Sequence, residues 1–261
     1  MIFDPSKPPL TDSAGLLKSV PVEAGPEIWK RATRVISSGL CDLQVNGFAG
    51  VDYNDPTLMP EEFEKSLFAM LSTGVTTCLP TVITGSEEWQ IQCFHALEAG
   101  RKASKLAQAM IPGYHLEGPF LNPEEGFCGC HPTKWMRPAT LDHFERLQEA
   151  AGGRITLVTV APEIKGVLDL IPKLVEKGIA VAIGHCNPDR DTLLRAADAG
   201  VTLSTHLGNG IAQMLPKKDN PILGQLAEDR FSASFIADGV HQEPHVLGVY
   251  LRAKQSSRTI L

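Results

Sequence analysis

Three junctions in this chain carry the same local pattern, a glycine that ends a helical stretch and a β-branched residue that follows it. They are Gly74-Val75, Gly178-Ile179 and Gly200-Val201. Glycine tolerates the left-handed conformation that terminates a helix, and a β-branched residue favours the start of a strand. Repeated units of strand, helix, glycine and strand indicate parallel strands joined by crossover helices.

The hydrophobic pattern divides the chain into seven such units. Apolar, β-branched runs predict strands at 38–45, 75–82, 110–116, 155–160, 179–184, 201–206 and 231–237. Stretches with helical periodicity predict helices near 60–73, 86–99, 140–150, 166–177, 189–199 and 243–254. Residues 258–261 resemble the beginning of an eighth strand.

The length of 261 residues fits one barrel. A (β/α)₈ barrel needs about 250 residues. We therefore predict a TIM-like (β/α)₈ barrel over 38–261, with its C-terminal part missing in or just before strand eight. Residues 1–37 contain five prolines and little periodicity, which predicts an irregular lead-in. A seven-stranded or open doubly wound sheet is the alternative.

The composition excludes several classes of protein. A net charge of −6 is not typical of a nucleic-acid-binding protein. No run reaches the roughly 20 apolar residues that a membrane-spanning helix needs. The first ten residues contain neither the basic segment nor the apolar stretch of a secretory signal. We expect a soluble, cytoplasmic protein with no nucleic-acid or membrane partner.

Polar side chains follow several predicted strands, where parallel α/β folds gather their reactive groups. Glu117, His185 and His206 follow strands three, five and six. One carboxylate and two imidazoles suit Zn²⁺ and leave a position for water, whose pKa such an ion lowers toward about 7. We predict a metal centre here. The alternative is that each histidine is an ordinary core or surface residue.

Strand one ends with Gln44 and Asn46, which point the same way because they lie two residues apart. Two histidines at these positions would bind a second metal ion. Carboxamides are weak Zn²⁺ ligands but good hydrogen-bonding groups, so we predict one ion per chain and contacts from both amides to substrate. Alternatively, these amides only fill the polar mouth of the barrel.

Other polar residues are candidates for substrate contacts. The long loop 126–137 contains His131, which would polarise a substrate carbonyl or lie exposed as an ordinary loop histidine. Asp238 would orient its loop and His241 would contact substrate. The pair Lys217 and Lys218 would meet an anionic group or remain solvated. We expect Glu163 to serve only as a hydrogen-bonding brace.

Six short motifs occur in an order that resembles the N-acetylglucosamine-6-phosphate deacetylases of the amidohydrolase superfamily. They are DLQVNGFAGVDYND (42–55), HLEGPFLN (115–122), APE (161–163), GHCN (184–187), THLGNG (205–210) and IADGVH (236–241). The resemblance covers most of residues 40–260. It implies a (β/α)₈ barrel that removes the acetyl group of N-acetylglucosamine-6-phosphate, giving glucosamine-6-phosphate and acetate.

The resemblance also implies roles for individual residues. It matches Glu117, His185 and His206 to the metal ligands of the family, and Gln44 and Asn46 to members that use a single ion. Zn²⁺ is the usual ion, and the family usually forms a homodimer. Substrate-contacting positions of the family match Cys130 with His131, Asn209, the backbone of Gly210, and the turn from Asp238 to His241.

The chain departs from the family pattern in three ways. The flanking β-sandwich of the family has no counterpart in these residues. The phosphate-binding arginine of the family has no clear match, and Lys217 or Lys218 is a poor substitute because lysine lacks the bidentate fork. The general-base aspartate of a T-D-A motif is expected just after Leu261 and is absent from the chain. Two alternatives therefore stay open: hydrolysis of another N-acyl sugar or amide, and a metal-binding barrel without activity.

Overall fold

A computed structural model describes residues 39–261, so the predicted lead-in at 1–37 lies outside the described residues. The strands are β1 (Leu40–Val45), β2 (Gly47–Phe48), β3 (Val51–Asp52), β4 (Val75–Val82), β5 (Tyr114–Glu117), β6 (Ile155–Val160), β7 (Ala180–Ile183), β8 (Leu203–Ser204), β9 (Ser232–Ser234) and β10 (Thr259–Ile260). The helices are α1 (Pro60–Leu71), α2 (Glu87–Ala103), α3 (Lys105–Met110), α4 (Leu141–Ala150), α5 (Val167–Glu176), α6 (Arg190–Ala199), α7 (Pro221–Ala227) and α8 (Pro244–Lys254). Between residues 39 and 261, no helix has the length and hydropathy needed to span a lipid bilayer.

Eight strands form one parallel sheet in the order β1-β4-β5-β6-β7-β8-β9-β10, while β2 and β3 form a separate small hairpin. Spatial order follows chain order, as a barrel of repeated strand–helix units requires. The predicted start of an eighth strand is confirmed, because β10 pairs with β9 through Thr259 opposite Ala233 and Ile260 opposite Ser234. The predicted barrel architecture is therefore confirmed.

The two faces of the sheet support two apolar cores, because successive strand residues point to opposite sides. Val158 on β6 joins the large core between the sheet and the helices. Its neighbour Leu157 joins a smaller cluster with Leu79, Ala182 and Leu203. Leu43 of β1 and Ile260 of β10, from opposite ends of the strand order, both pack against this smaller cluster. The sheet therefore curls around it, and we call it the inner cluster.

The structure corrects some predicted boundaries. Strand three was predicted at 110–116, but β5 begins at Tyr114, because α3 extends to Met110 and residues 111–113 connect the helix to the strand. The Ser104 hydroxyl accepts a hydrogen bond from the Ala107 amide and caps this short helix. Asn220 caps α7, which the periodicity also did not predict. Strands six and seven are shorter than predicted, since β8 contains two residues and β9 three.

Candidate metal centre

The three predicted metal ligands lie together at the C-terminal edge of the sheet. Glu117 ends β5, whereas His185 and His206 each lie two residues beyond the ends of β7 and β8. One ligand atom from each lies within 4.8 Å of the other two, and all three side chains are buried. Parallel strands bring their C-terminal ends to one edge, so residues far apart in the sequence meet there.

Hydrogen bonding aims the two imidazoles at the carboxylate. Nε2 of His206 lies 2.9 Å and Nε2 of His185 lies 3.4 Å from Oε1 of Glu117. Nδ1 of His185 donates to the carbonyl oxygen of Phe127 over 2.8 Å, which leaves the Nε2 lone pair facing the carboxylate. Such an outer hydrogen bond is the usual means of orienting a metal-binding histidine.

The electrostatics of Glu117 are those of a buried anion held by imidazoles. Burial alone would raise its pKa, but the neighbouring imidazoles of His131, His185 and His206 hold the pKa well below its usual value. The side chain is 2 % exposed and stays ionised. Nδ1 of His206 has no hydrogen-bond partner within residues 39–261. The carboxylate therefore presents a negative charge that a cation can neutralise.

These residues fit a divalent metal ion. A tetrahedral Zn²⁺ site with ligand distances near 2.1 Å separates its ligand atoms by about 3.4 Å. The distances from Oε1 of Glu117 to the two imidazole nitrogens, 2.9 and 3.4 Å, are close to that spacing. One carboxylate with two imidazoles is also a donor set that zinc prefers.

His131 is a third imidazole at this centre. It is 3 % exposed, so the alternative of an exposed loop histidine is wrong. The Thr84 amide donates to Nδ1 of His131 over 3.4 Å, and the Thr84 hydroxyl lies 2.9 Å from the same nitrogen. Nε2 therefore carries the ring proton, and it lies 3.6 Å from Oε2 of Glu117. A Cβ at Gly118 would clash with the Thr84 hydroxyl, which explains the glycine in this motif.

Comparisons with known proteins identify relatives in sequence and in structure. N-acetylglucosamine-6-phosphate deacetylase from Bacillus subtilis (strain 168) is 32 % identical over 244 residues, which cover 90 % of this chain and 59 % of that protein. A Mycobacterium smegmatis N-acetyl-D-glucosamine-6-phosphate deacetylase variant, solved in complex with N-acetyl-D-glucosamine-6-phosphate, aligns with a TM-score of 0.76 and 28 % identity over 85 % of this chain and 56 % of that one. The chain is homologous to N-acetylglucosamine-6-phosphate deacetylases.

A related activity also occurs among the relatives. N-acetylgalactosamine-6-phosphate deacetylase from Shewanella sp. (strain ANA-3) is 32 % identical over 235 residues, covering 89 % of this chain and 57 % of that protein. The chain thus spans little more than half the length of these curated relatives. No family model matches it.

Three predicted substrate contacts of this deacetylase homologue lie beside the centre. The Asn209 side chain donates to the carbonyl oxygen of His206 over 3.2 Å. The backbone of Gly210 lies against the imidazole of His185. Cys130 is exposed. The pKa of its thiol is raised, mainly by partial desolvation and secondly by the negative charge of Glu117. Asn209 and Gly210 thus contact two of the three ligand residues directly.

The remaining predicted contacts make no hydrogen bond to the ligands within residues 39–261. Gln44 is half-buried in β1, whereas Asn46, Lys217 and Lys218 are exposed. Asp238 and His241 pair with each other over 2.7 Å on an exposed turn, where backbone amides lower the pKa of Asp238 to about 2. Within the part of the chain that the structure describes, no side chain of this set bonds to the three ligands. Their role toward substrate stays a prediction.

Glu163, in the APE motif of this chain, supports the site through hydrogen bonds whose partners the sequence analysis did not specify. Glu163 accepts hydrogen bonds from the Asn122 side chain over 2.9 Å and from the Asn187 amide over 2.5 Å. It thereby ties together the loops after β5, β6 and β7, and burial raises its pKa. Asn122 belongs to the motif HLEGPFLN, and that membership was the one indication in the sequence that Asn122 could support the site. Thr84 acts partly through its backbone amide and had no signal.

Proposed function

We propose that the chain holds one divalent metal ion, Zn²⁺ in the first instance, between Glu117, His185 and His206. At this centre it would hydrolyse the acetamide of N-acetylglucosamine-6-phosphate to glucosamine-6-phosphate and acetate. The observation that carries the proposal is the convergence of three buried ligand atoms within 4.8 Å of one another. When bound, such an ion supplies Lewis-acid activation of a water molecule and of the acetyl carbonyl.

His131 has the geometry of the electrophilic donor. Its Nε2 proton faces the centre because Thr84 hydrogen bonds to Nδ1. Addition of water to the acetyl carbon gives a tetrahedral oxyanion, to which this N–H would donate. A donor fixed in a buried site stabilises that charge with little reorganisation. Its 3 % exposure supports this role.

We assign substrate orientation to polar groups near the three ligands. Asn209, the backbone of Gly210, and Cys130 with His131 would contact the sugar and its acetamide. Gln44 and Asn46 would approach from β1. Lys218 and the turn from Asp238 to His241 would contact the phosphate side.

Among the described residues there is no candidate for the general base at the position, after strand eight, where the resemblance places it. A base must remove a proton from the attacking water and deliver it to the amine as the carbon–nitrogen bond breaks. The resemblance assigns this to an aspartate after strand eight, whereas β10 is followed by Leu261. General acid–base catalysis contributes about 10²–10⁴ in rate. The three metal ligands are independent of that base, so metal binding is proposed separately from turnover.

A different N-acyl sugar is the second candidate substrate. The similarity to an N-acetylgalactosamine-6-phosphate deacetylase supports the galactosamine epimer. The absence of a clear match to the phosphate-binding arginine also weakens the argument for a phosphorylated sugar. A homodimer and a cytoplasmic location stay predictions.

Metal analysis tests the proposal directly. We expect one equivalent of divalent metal in the purified chain, measured by inductively coupled plasma mass spectrometry. The triple variant Glu117→Ala, His185→Ala, His206→Ala should contain none, whereas His95→Ala, on an exposed face of α2, should retain it. Parent protein without stoichiometric metal after Zn²⁺ loading would overturn the proposal.

Acetate release then separates the candidate activities. N-acetylglucosamine-6-phosphate, its galactosamine epimer and unphosphorylated N-acetylglucosamine should be compared with the metal-loaded chain. Preference for the first supports the main proposal, and preference for another sugar supports the second. Metal binding without acetate release from any of them would favour the inactive metal-binding barrel.

A further inference from the structure

A hydrogen-bonded layer of polar side chains lies inside the curled sheet, between the inner cluster and the metal ligands. Three of its members lie two residues beyond inner-cluster leucines and therefore face the same interior. The fourth, on β5, is paired in register with the member on β4. We call this set the polar layer: Thr81, His115, Thr159 and Thr205.

The hydrogen bonds of the layer have a defined direction at one end. The Thr81 hydroxyl donates its single proton to the Leu79 carbonyl over 3.1 Å and accepts from the Val45 amide over 3.1 Å. The Thr81 hydroxyl oxygen therefore accepts a hydrogen bond from the Nδ1–H of His115, 3.4 Å away. With its proton at Nδ1, the ring, which is 1 % exposed, accepts at Nε2.

The other end of the layer reaches across the sheet. Nε2 of His115 lies 2.7 Å from the Thr159 hydroxyl, which lies 2.7 Å from the Thr205 hydroxyl. The Thr159 hydroxyl donates its hydrogen bond to Nε2 of His115, so the Thr205 hydroxyl donates to the Thr159 oxygen. This chain links β5 to β6 and to the residue immediately after β8.

A glycine makes the bridge from β6 to Thr205 possible. The intervening strand β7 is followed by Gly184, and a Cβ there would lie 3.0 Å from Cγ2 of Thr159 and 3.2 Å from Cβ of Thr205. Both distances are tighter than ordinary van der Waals contact. A side chain at this position would therefore push the two threonines apart.

The polar layer adjoins two of the ligands, both in the sequence and in the structure. Glu117 follows His115 by two residues on the same face of β5, and His206 follows Thr205 directly. We propose that the polar layer positions Glu117 and His206 for metal binding, with His115 as its central positioning residue. The inference rests on the proposed metal centre and assigns to four interior residues a role that packing alone would not give them.

The Thr159 hydroxyl is the point at which to break the layer. Thr159→Val removes the hydroxyl while keeping the volume, and Thr159→Ser keeps the hydroxyl. Thr156→Val is the matched control, because Thr156 is exposed on the same strand. Zn²⁺ affinity would be measured by competition with a chromophoric chelator, and ligand geometry by the visible absorption of the Co²⁺-loaded protein.

We expect Thr159→Val to weaken Zn²⁺ binding by more than about threefold and to shift the Co²⁺ bands; loss of a direct hydrogen-bond partner of a ligand costs roughly 10–100-fold, which is the upper bound for this indirect effect. Thr159→Ser should stay within about threefold of the parent, and Thr156→Val should be indistinguishable from it. Thr205→Val provides the same test if Thr159→Val does not fold.

Two results would overturn the inference while leaving the proposed function intact. One is a Thr159→Val protein with parental Zn²⁺ affinity and Co²⁺ spectrum. The other is equal loss in the valine and serine variants, which would indicate packing instead of hydrogen bonding. A parent chain that binds no metal would overturn the inference and the proposed function together.

Discussion

Nδ1 of His185 lies 2.8 Å from the carbonyl oxygen of Phe127 and donates its proton to it. That single contact fixes the tautomer of the ring, so Nε2 is an acceptor 3.4 Å from Oε1 of Glu117. A metal-binding imidazole has to be neutral with its free lone pair toward the ion. His185 is therefore arranged for a cation before one binds.

Zn²⁺ should stabilise the folded chain. A ligand that binds only the folded state at 100 times its dissociation constant adds about 2.7 kcal/mol, or roughly 5–10 °C in a domain of this size. We expect this shift in a thermal melt, with reversal by a chelator. His185→Ala should abolish it and exposed His95→Ala should keep it; a shift that survives in His185→Ala would argue against this ligand set.

His131→Gln should separate catalysis from metal binding. Loss of one oxyanion donor costs about 10²–10³ in kcat. Because Nε2 of His131 lies 3.6 Å from Oε2 of Glu117 and is not among the proposed ligands, the metal content should be unchanged. Acetate release and metal analysis of the same preparation provide both readouts. An unchanged rate would exclude the donor role.

The positions of the strand ends and of the candidate metal ligands could be predicted from the sequence for a physical reason. Alternating apolar strands and helices specify a parallel sheet, and parallel strands place Glu117, His185 and His206 at one edge. The short helices α3 and α7 were not readable, because a single capped turn or two contains too little periodicity. The contact of Thr84 depends partly on a backbone amide, which any residue type provides. The side-chain partners of His115, Thr81 and Thr159, come from strands β4 and β6, and no local pattern specifies them.

The stability of the protein should fall on acidification because of His143. Burial lowers the pKa of His143 to about 4, although Oε2 of Glu87 lies 3.0 Å from its Nδ1. The unfolded chain, with a pKa near 6.5, binds more protons between pH 4 and 6.5. The free energy of unfolding therefore decreases as the pH falls through this window, by up to about 3 kcal/mol from this residue.

Urea unfolding at several pH values would measure this effect. His143→Gln should lose less stability than the parent between pH 6.5 and 4, while exposed His95→Gln should behave like the parent. Parallel pH profiles for the parent and His143→Gln would contradict the assignment.

Lys254→Met should destabilise the C-terminal part of the barrel. Nζ of Lys254 is buried and donates to the carbonyl oxygens of Gln225 and Glu228, each over 2.8 Å. Methionine fills similar space but leaves both carbonyls without this donor, which costs about 1–3 kcal/mol. Chemical denaturation followed by circular dichroism would measure the loss. Lys173→Met, on the exposed face of α5, is the control, and equal stability of both variants would refute the prediction.

The segment from Phe127 to His131 contributes both the carbonyl that orients His185 and the buried imidazole that faces Glu117. Any excursion of these few residues away from the barrel would misalign one ligand and withdraw the proton donor in the same event. The orientation of one ligand and the placement of the proton donor therefore depend on the same five residues, and a displacement of this segment would change both together.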